Sequence, residues 1–373
     1  MRRSGNNESR RRSLRGFARQ VLVPAVFLAT VIGACQYTAT GDPAFARDEA
    51  PADRAAPRTR GIADRYVDRV IDGQKVSCMY GNVFIDRDTL TVSSDTAYYY
   101  RDLEYYKLIG NVVLTRFEAV LSCDLANYDR YLGAGDFFGN VRLEEAGTIG
   151  TGGRGESRGD GRHVRLFEDA LLVTPDYSVW ADTIYQDRET GDGEAFGNVR
   201  IMEPGAKNIV TGDHANFSEK EEIAEVDVNP VLTSREQDGG PLTSVAGVMR
   251  FYRAEDKVVM VDSVRIDQDL TRARADTAVA YGQEHLVLTG APQVSMDDSS
   301  LMMGDRIDFH YRDGQLREVV VRGNGRMEDS APDSLARIYE GLPDLDVIEG
   351  DTITVEMEDE KISRTVVVGN ARS

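Results

Sequence analysis

The chain has 373 residues, and its 63 acidic side chains outnumber its 44 basic ones, which gives a formal net charge of −19. Residues 1–34 carry seven arginines and one glutamate, so the chain without them loses six net positive charges and stands at −25. A surface this acidic repels phosphate backbones, which argues against nucleic acid as a partner.

The N-terminus has the features of an export signal. Seven arginines lie within residues 2–19, and residues 21–34 follow without a charge. A basic stretch before an apolar one is typical of a secretory signal peptide. The apolar run has 14 residues, fewer than the roughly 20 that a membrane-spanning helix needs, so we interpret residues 1–34 as a signal peptide.

The end of this apolar run resembles the lipobox of bacterial lipoproteins. Ile32-Gly33-Ala34-Cys35 places small residues before a cysteine that such a signal would acylate. We therefore predict lipidation at Cys35 and attachment to a membrane through this lipid anchor. The alternative is a buried cysteine in an ordinary signal anchor. Gln36 after the cysteine is similar to outer-membrane lipoproteins, so we expect a protein on the periplasmic face of the outer membrane.

The stretch after Cys35 predicts a disordered tether over residues 35–60. It is rich in Ala, Pro, Asp, Arg and Thr and has no apolar periodicity. Beyond it, the remaining cysteines are Cys78 and Cys123. An exported compartment permits a disulfide between them, but either could be a small buried hydrophobic residue, and we favour the unpaired state.

A glycine-asparagine pair recurs along the chain. Seven of the 12 asparagines directly follow glycine, although glycine fills 35 of 373 positions and chance would give about one such pair. The pairs at Gly81, Gly110, Gly139 and Gly197 are spaced by 29, 29 and 58 residues, and 58 is twice 29. Less regular relatives follow at Gly290-Ala291, Gly323-Asn324 and Gly369-Asn370. A fixed period of this length indicates stacked structural units.

An aspartate recurs with the same spacing as the glycine. Asp95 and Asp124 are again 29 residues apart, and Asp213 opens a similar run. Degenerate copies begin at Asp182, Asp276 and Asp305. Because glycine and asparagine tolerate a positive φ, we expect the Gly-Asn pair to mark a bend or bulge. We expect the aspartate at the opposite corner, where its side chain would bond nearby backbone amides.

Apolar residues alternate after each glycine and each aspartate. This period of two, with β-branched and aromatic residues, predicts strands with one face turned inward. The inward candidates are Val83, Ile85, Ala97, Tyr99, Val112, Leu114, Ala126, Tyr128, Val141, Leu143, Val199, Ile201, Ala215, Phe217, Ile307 and Phe309.

The repeats divide the folded part into residues 61–233 and a more divergent part, residues 245–373. Residues 333–349 could hold one short helix, because Ser334 to Tyr339 break the alternation. Residues 147–163 and 234–241 are rich in glycine or charge and predict long surface loops.

A Gly-Asn-Val run followed by a strand and an Asp-x-Ala-x-Tyr corner, repeated down an exported chain, resembles the OstA-like (LptA-like) family of lipopolysaccharide-transport proteins. The resemblance covers roughly residues 61–373 and is strongest between Tyr80 and Phe217. The family includes a periplasmic bridge protein, an inner-membrane protein and the N-terminal domain of an outer-membrane assembly protein (LptD). The bridge protein is shorter and is not normally a lipoprotein, and the assembly protein carries a barrel for which this chain has no room.

The resemblance implies an all-β fold, an elongated antiparallel β-jellyroll or β-taco, built here from stacked repeats of about 29 residues. It implies an apolar interior that takes the acyl chains of lipopolysaccharide or a related glycolipid. It also implies open edge strands that stack on other OstA-like proteins of the transport system. Unpaired backbone groups at the edge of a sheet can hydrogen-bond to a strand of another protein, which permits such stacking. The expected role is lipopolysaccharide transport or assembly.

Sequence signs of catalysis or metal binding are weak. The four histidines, His163, His214, His285 and His310, are not clustered in sequence, and no zinc-site or nucleophile-elbow motif is present. We therefore expect no enzyme activity, no metal and no cofactor. The repeated aspartates could be catalytic or calcium-binding, but one reaction does not need a carboxylate in every repeat, so a structural role is favoured.

Two other classes of protein stay open at this point. One is a polysaccharide-acting enzyme on a right-handed β-helix, which requires parallel strands and a carboxylate cluster on one face. The other is a structural or adhesive surface solenoid, which requires no cavity for acyl chains.

Overall fold

The computed structural model describes residues 60–373, except 88, 176, 203–207, 219, 235–240, 269–270, 283, 297–299, 313–314, 331–344 and 359–360. The proposed signal peptide, Cys35, most of the tether and the helix candidate at Ser334 to Tyr339 lie outside the described residues, as does most of the loop expected over 234–241. The described part is built from β-strands, with one 3₁₀ turn at Arg101–Leu103. Within it, no helix is long and apolar enough to span a membrane.

The chain forms two compact units. The N-terminal unit comprises the described residues of 60–201 and 214–221, and the C-terminal unit those of 202–213 and 222–373. All described strand pairings are antiparallel, which confirms the expected antiparallel all-β class. This also excludes, for the described pairings, the parallel ladder that a right-handed β-helix enzyme requires.

In the N-terminal unit, each strand from β2 to β10 pairs with its neighbours in the chain, as in a meander. Short β1 and β2 lie end to end along β3. The strands are β1 (Arg60–Ile62), β2 (Arg65–Ile71), β3 (Gln74–Arg87), β4 (Leu90–Tyr100), β5 (Tyr105–Arg116), β6 (Ala119–Asp129), β7 (Ala134–Glu145), β8 (Thr148–Arg158), β9 (His163–Val173) and β10 (Ser178–Asp187). They are followed by β11 (Gly193–Met202) and β12 (Asn208–Ser218).

In the C-terminal unit, short strands pair end to end along longer ones, as β19 and β20 do along β18. The strands are β13 (Ile223–Asp227), β14 (Val231–Ser234), β15 (Leu242–Val245), β16 (Val248–Tyr252), β17 (Lys257–Gln268), β18 (Thr271–Tyr281), β19 (His285–Thr289), β20 (Gln293–Met296), β21 (Ser300–Met303), β22 (Arg306–Arg312), β23 (Gln315–Ser330), β24 (Leu345–Glu358) and β25 (Lys361–Val368).

A bend divides the strands into two arms. In β5 the pairing register skips Gly110 and Asn111, which lie between Ile109 and Val112. Both skipped residues have a positive φ, 78° and 45°. Among the described residues, ten left-handed pairs lie at such bends: Gly81-Asn82, Gly110-Asn111, Gly139-Asn140, Glu168-Asp169, Gly197-Asn198, Val228-Asn229, Asp262-Ser263, Gly290-Ala291, Gly323-Asn324 and Gly369-Asn370. The other consecutive left-handed residues, Asp72-Gly73, Ala146-Gly147 and Gly159 to Gly161, lie in turns between strands. The Gly-Asn pair therefore marks a bulge, as its residue types indicate.

The repeated aspartate lies at the same bend as the Gly-Asn pair of the next strand, so the expectation of an opposite corner was wrong. Asn111 Nδ2 donates to Asp95 Oδ2 at 2.9 Å, and at several bends the aspartate amide also donates to the glycine carbonyl. The side-chain bond recurs at Asn82–Asp64, Asn140–Asp124, Asn198–Asp182, Asn229–Asp213, Asn324–Asp305 and Asn370–Asp351. The carboxylate thus links the bends of two adjacent strands through the asparagine amide.

At two bends the residue types of the two strands are exchanged. Gly153 of β8 occupies the position that an aspartate has at the other bends, and Glu168-Asp169 of β9 forms the left-handed pair in place of Gly-Asn. Gly247 and Asp262-Ser263 repeat this arrangement. Glu168 is 29 residues from both Gly139 and Gly197, so it fills the 58-residue gap in the sequence repeat.

The loop expected over residues 147–163 was wrong. Most of this segment is strand β8, which pairs with β7 and β9 along its length. Inward positions of β8 are held by Gly150, Gly152 and Gly155, so the apolar alternation that reveals a strand in sequence is absent there. A Cβ at Gly155 would meet Val141 at 3.0 Å, so neighbouring side chains fill the space.

Cys78 and Cys123 are both buried and unpaired. Burial raises the pKa of the Cys123 thiol to about 11. Both cysteines therefore act as small apolar residues, the reading that the sequence favoured.

Replacing Gly110 with alanine tests the bend. Its added Cβ would meet the carboxylate of Asp95, with Cγ at 3.0 Å, whereas Gly73 has the same φ of 78° and nothing within 4 Å. We expect Gly73→Ala to cost about 1–2 kcal/mol from the left-handed backbone alone. Gly110→Ala should cost about 1–3 kcal/mol more. Urea unfolding measures both, and equal losses would contradict the role of the Asp95 contact.

Candidate functional site

The inward candidates from the sequence lie on one face of the strands in their own unit. Eleven of them are buried: Val83, Ile85, Ala97, Val112, Leu114, Ala126, Val141, Val199, Ala215, Ile307 and Phe309. The other five, Tyr99, Tyr128, Leu143, Ile201 and Phe217, are partly exposed. The alternation thus selects an apolar inner face.

Three tyrosines line this inner face near the ends of adjacent strands. Tyr99, Tyr106 and Tyr128 are register partners on β4, β5 and β6. The rings of Tyr99 and Tyr106 stack with centroids 4.4 Å apart. Burial and the neighbouring Tyr106 raise the pKa of Tyr99 to about 12. The Tyr99 phenol is therefore neutral near pH 7, and each of the three side chains offers an apolar ring with a polar end.

Other tyrosines of the same cluster belong to the opposite face. Tyr98 contacts Tyr80, and Tyr100 contacts Tyr105, with edge-to-face geometry in each case. Alternation along β4 and β5 separates the two sets, because successive side chains of a strand point to opposite faces.

Polar contacts join the free ends of the two arms in the N-terminal unit. Arg87 at the end of β3 reaches Glu104 at 3.4 Å and the Tyr106 hydroxyl at 3.5 Å. Arg116 at the end of β5 donates to the backbone oxygen of Asp160 at 3.0 Å. Each contact connects one arm with a turn at the end of the other arm.

Arg188 and Glu145 form a third contact of this kind. We call the three contacts the rim bridges: Arg87 to Glu104, Arg116 to Asp160, and Arg188 to Glu145. They lie where the inner face meets solvent. Two of the rim bridges are partly exposed ion pairs, which contribute about 1 kcal/mol or less each, and the third is a hydrogen bond to a backbone oxygen. The rim is therefore held weakly compared with the packed interior.

A separate depression of about 430 Å³ lies at the reversed bend of β8 and β9. Its lining includes Glu168, Asp169 and Asp182 together with Arg154 and Phe167. The Arg154 guanidinium lies 5.1 Å from the centre of the Phe167 ring. This open, polar surface differs in chemistry from the apolar inner face and is unsuited to acyl chains.

The C-terminal unit brings together three residues that the sequence gave no reason to group. His285, Asp308 and His310 offer ligand atoms that all lie within 4.8 Å of one another. The two histidines are 25 residues apart in sequence, and only the register of β19 with β22 makes them neighbours. His163 and His214 instead contact Tyr185 and Phe196.

Comparison with known proteins bears on the strands that carry the inner face. Residues 74–182, from β3 into β10, match the model of the OstA-like protein family. This segment belongs to the OstA-like family. It contains three of the Gly-Asn bends and the first reversed bend. The family assignment drawn from the repeats is confirmed.

One solved structure similar to the chain is that of LptH, the LptA homologous periplasmic component of the conserved lipopolysaccharide transport device from Pseudomonas aeruginosa. The similarity has 14% identity and a TM-score of 0.26, and it covers 29% of this chain and 76% of that chain. No curated protein matches this chain.

A double-mutant cycle on Glu145 and Arg188 tests whether a rim bridge joins the arms. The side chains are 25% and 20% exposed, so we expect a coupling energy of about 0.5–1 kcal/mol between Glu145→Gln and Arg188→Gln in urea unfolding. The control is Arg142 and Glu144, a pair within one strand that is 45% and 49% exposed. A coupling no larger than the control's would contradict the bridge.

Acidification tests the network at Glu104. Burial alone would raise the pKa of this carboxyl, but hydrogen bonds from Arg130 and Tyr99 and the charge of Arg87 lower it below 4.5. Its stabilising effect is therefore complete above that ordinary value and is lost as the pH falls through the lowered, folded-state pKa.

Glu104→Gln should accordingly lose less stability than the wild type on acidification through this range. The measurement is the free energy of unfolding as a function of pH. Glu118→Gln, at an exposed position in the β5–β6 turn, is the matched control and should follow the wild type. Identical pH profiles for all three proteins would show that Glu104 does not contribute.

Proposed function

We propose that the chain binds lipopolysaccharide or a related glycolipid and takes part in its transport or assembly without catalysing a reaction. The observation that carries the proposal is the apolar inner face of an OstA-like segment, bounded by a rim of charged side chains. Acyl chains would lie against the inner face between the arms. The sugar and phosphate groups would remain at the rim, in water.

Entry of an acyl chain through the rim would bury methylenes and separate the rim bridges, and the two contributions are of similar size. Burying about five methylenes contributes about 4 kcal/mol, at about 0.8 kcal/mol each. Separating three partly exposed bridges costs about 3 kcal/mol or less. The acyl chain also replaces the side-chain contacts that the arms lose, so the arms can part without leaving apolar surface in water.

The location and the protein partners are part of the proposal. An acyl group on Cys35 would hold the chain at the periplasmic face of the outer membrane, with residues 35–60 as a tether. Like domains of the transport system would stack on its edge strands. Antiparallel strands with unpaired backbone groups at an edge support such stacking physically. A surface solenoid without lipid remains the competing function, and the experiment below separates the two.

Photo-crosslinking from paired tyrosine positions tests lipid binding. A photoreactive phenylalanine analogue at Tyr99 or Tyr128 faces inward, whereas the same analogue at Tyr98 or Tyr105 faces outward on the same or the next strand. Aromatic exchange keeps the volume similar, so folding should be retained. Irradiated cells should give lipopolysaccharide adducts from the inward positions and few from the outward ones.

Adducts are detected by a shift in gel mobility together with an antibody against lipopolysaccharide. Equal labelling from both faces would indicate surface adhesion of lipid and would contradict an interior site. Crosslinks to protein alone from Tyr99 and Tyr128 would favour the solenoid function.

A further inference from the structure

A cluster on the outer face of the C-terminal unit has the composition of a metal site. His285 and His310 are direct register partners on β19 and β22. Asp308 precedes His310 by two residues on β22, so its side chain points to the same face. Two histidines and one carboxylate on neighbouring strands therefore lie side by side on one face.

The carboxylate of Asp308 is 1% exposed and held in one orientation. Arg306 donates from Nε to Oδ2 at 2.8 Å and from Nη2 to Oδ1 at 2.6 Å. Arg322 Nη1 donates to Oδ2 as well. These three bonds leave one of the about four acceptor positions of a carboxylate, and it lies on Oδ1.

His285 Nε2 lies 3.0 Å from that oxygen. The rings of His285 and His310 stack with centroids 4.4 Å apart. Without a metal, a proton on His285 Nε2 fills the remaining acceptor position of Oδ1. A cation bound by the same two atoms would replace this proton.

The distances suit a small tetrahedral ion. Zinc bonds of about 2.0–2.2 Å to nitrogen and oxygen place neighbouring ligand atoms about 3.3 Å apart. The nitrogen and oxygen of His285 and Asp308 already have nearly this separation, and all three ligand atoms lie within 4.8 Å. The rings of His285 and His310 are stacked nearly parallel, so binding of one ion by both requires rotation of the His310 ring.

The ligand types select the class of cation. Arg306 and Arg322 orient the carboxylate as outer partners of metal ligands do, although their positive charges oppose any cation that binds there. Imidazole nitrogens suit zinc, copper and nickel, whereas calcium and magnesium require several oxygen ligands. Glu318, the register partner of His310, adds a negative charge nearby.

We propose that His285, His310 and Asp308 bind one zinc-class divalent cation, with a fourth position open to solvent. The His285 side chain is 27% exposed, so the ion can enter from the outer surface. The site is separate from the apolar inner face, so metal binding there does not depend on lipid binding.

Zinc titration of the untagged full chain tests this site. After treatment with a chelator, we expect one zinc equivalent to compete with a chromophoric chelator for the wild type. His285→Gln/His310→Gln should bind zinc about 100-fold more weakly. The matched control, His163→Gln/His214→Gln, removes the same number of histidines from the N-terminal unit and should bind zinc like the wild type.

A second measurement separates binding from folding. Zinc should raise the Tm of the wild type and of the control but not that of His285→Gln/His310→Gln, since a ligand that binds the folded state stabilises it. Cobalt should give the absorption of a tetrahedral site in the same two proteins. Failure of the wild type to bind zinc would overturn the proposal, and so would equal affinity or equal Tm shifts in both double variants.

Discussion

The hydrogen bond between an asparagine amide and an aspartate on the neighbouring strand holds each bend in place. Two successive left-handed residues are costly for most side chains, and glycine followed by asparagine lowers that cost. The aspartate then bonds the asparagine and packs against the glycine, as Asp95 does at Gly110 and Asn111. This local arrangement makes the strands turn in the middle, so that one face of each arm becomes interior and the other exterior.

The inner face and the rim follow from the bend. Because the strands fold at their centres, their ends come together, and the rim bridges form between residues far apart in sequence, such as Arg188 and Glu145. The same geometry makes the interior apolar along its length and polar at its margin. The OstA-like segment thereby combines an apolar interior with charged groups at the boundary to water.

Sequence reasoning found the repeat, the strands and the inward residues because each of these leaves a local, periodic trace. It missed strand β8, whose inward glycines carry no side chain to alternate, and it misplaced the aspartate, because a partner 16 residues away is invisible without the register. The cluster of His285, Asp308 and His310 was missed for the same reason. Local periodicity reveals faces of strands, whereas contacts between strands depend on which residues come opposite each other.

The partners of each bend lie on adjacent strands, so no bend depends on a distant one. A unit of 29 residues, such as that from Gly110 to Gly139, therefore supplies its own aspartate for the hydrogen bond at a bend. It presents the same kind of strand edge at both of its ends. Duplication or loss of such a unit would leave the Asp–Asn hydrogen bonds of the other bends intact. The length of a chain with this architecture can thus change by whole units while the interior stays apolar. Gene duplication can in this way adjust the distance that the interior spans.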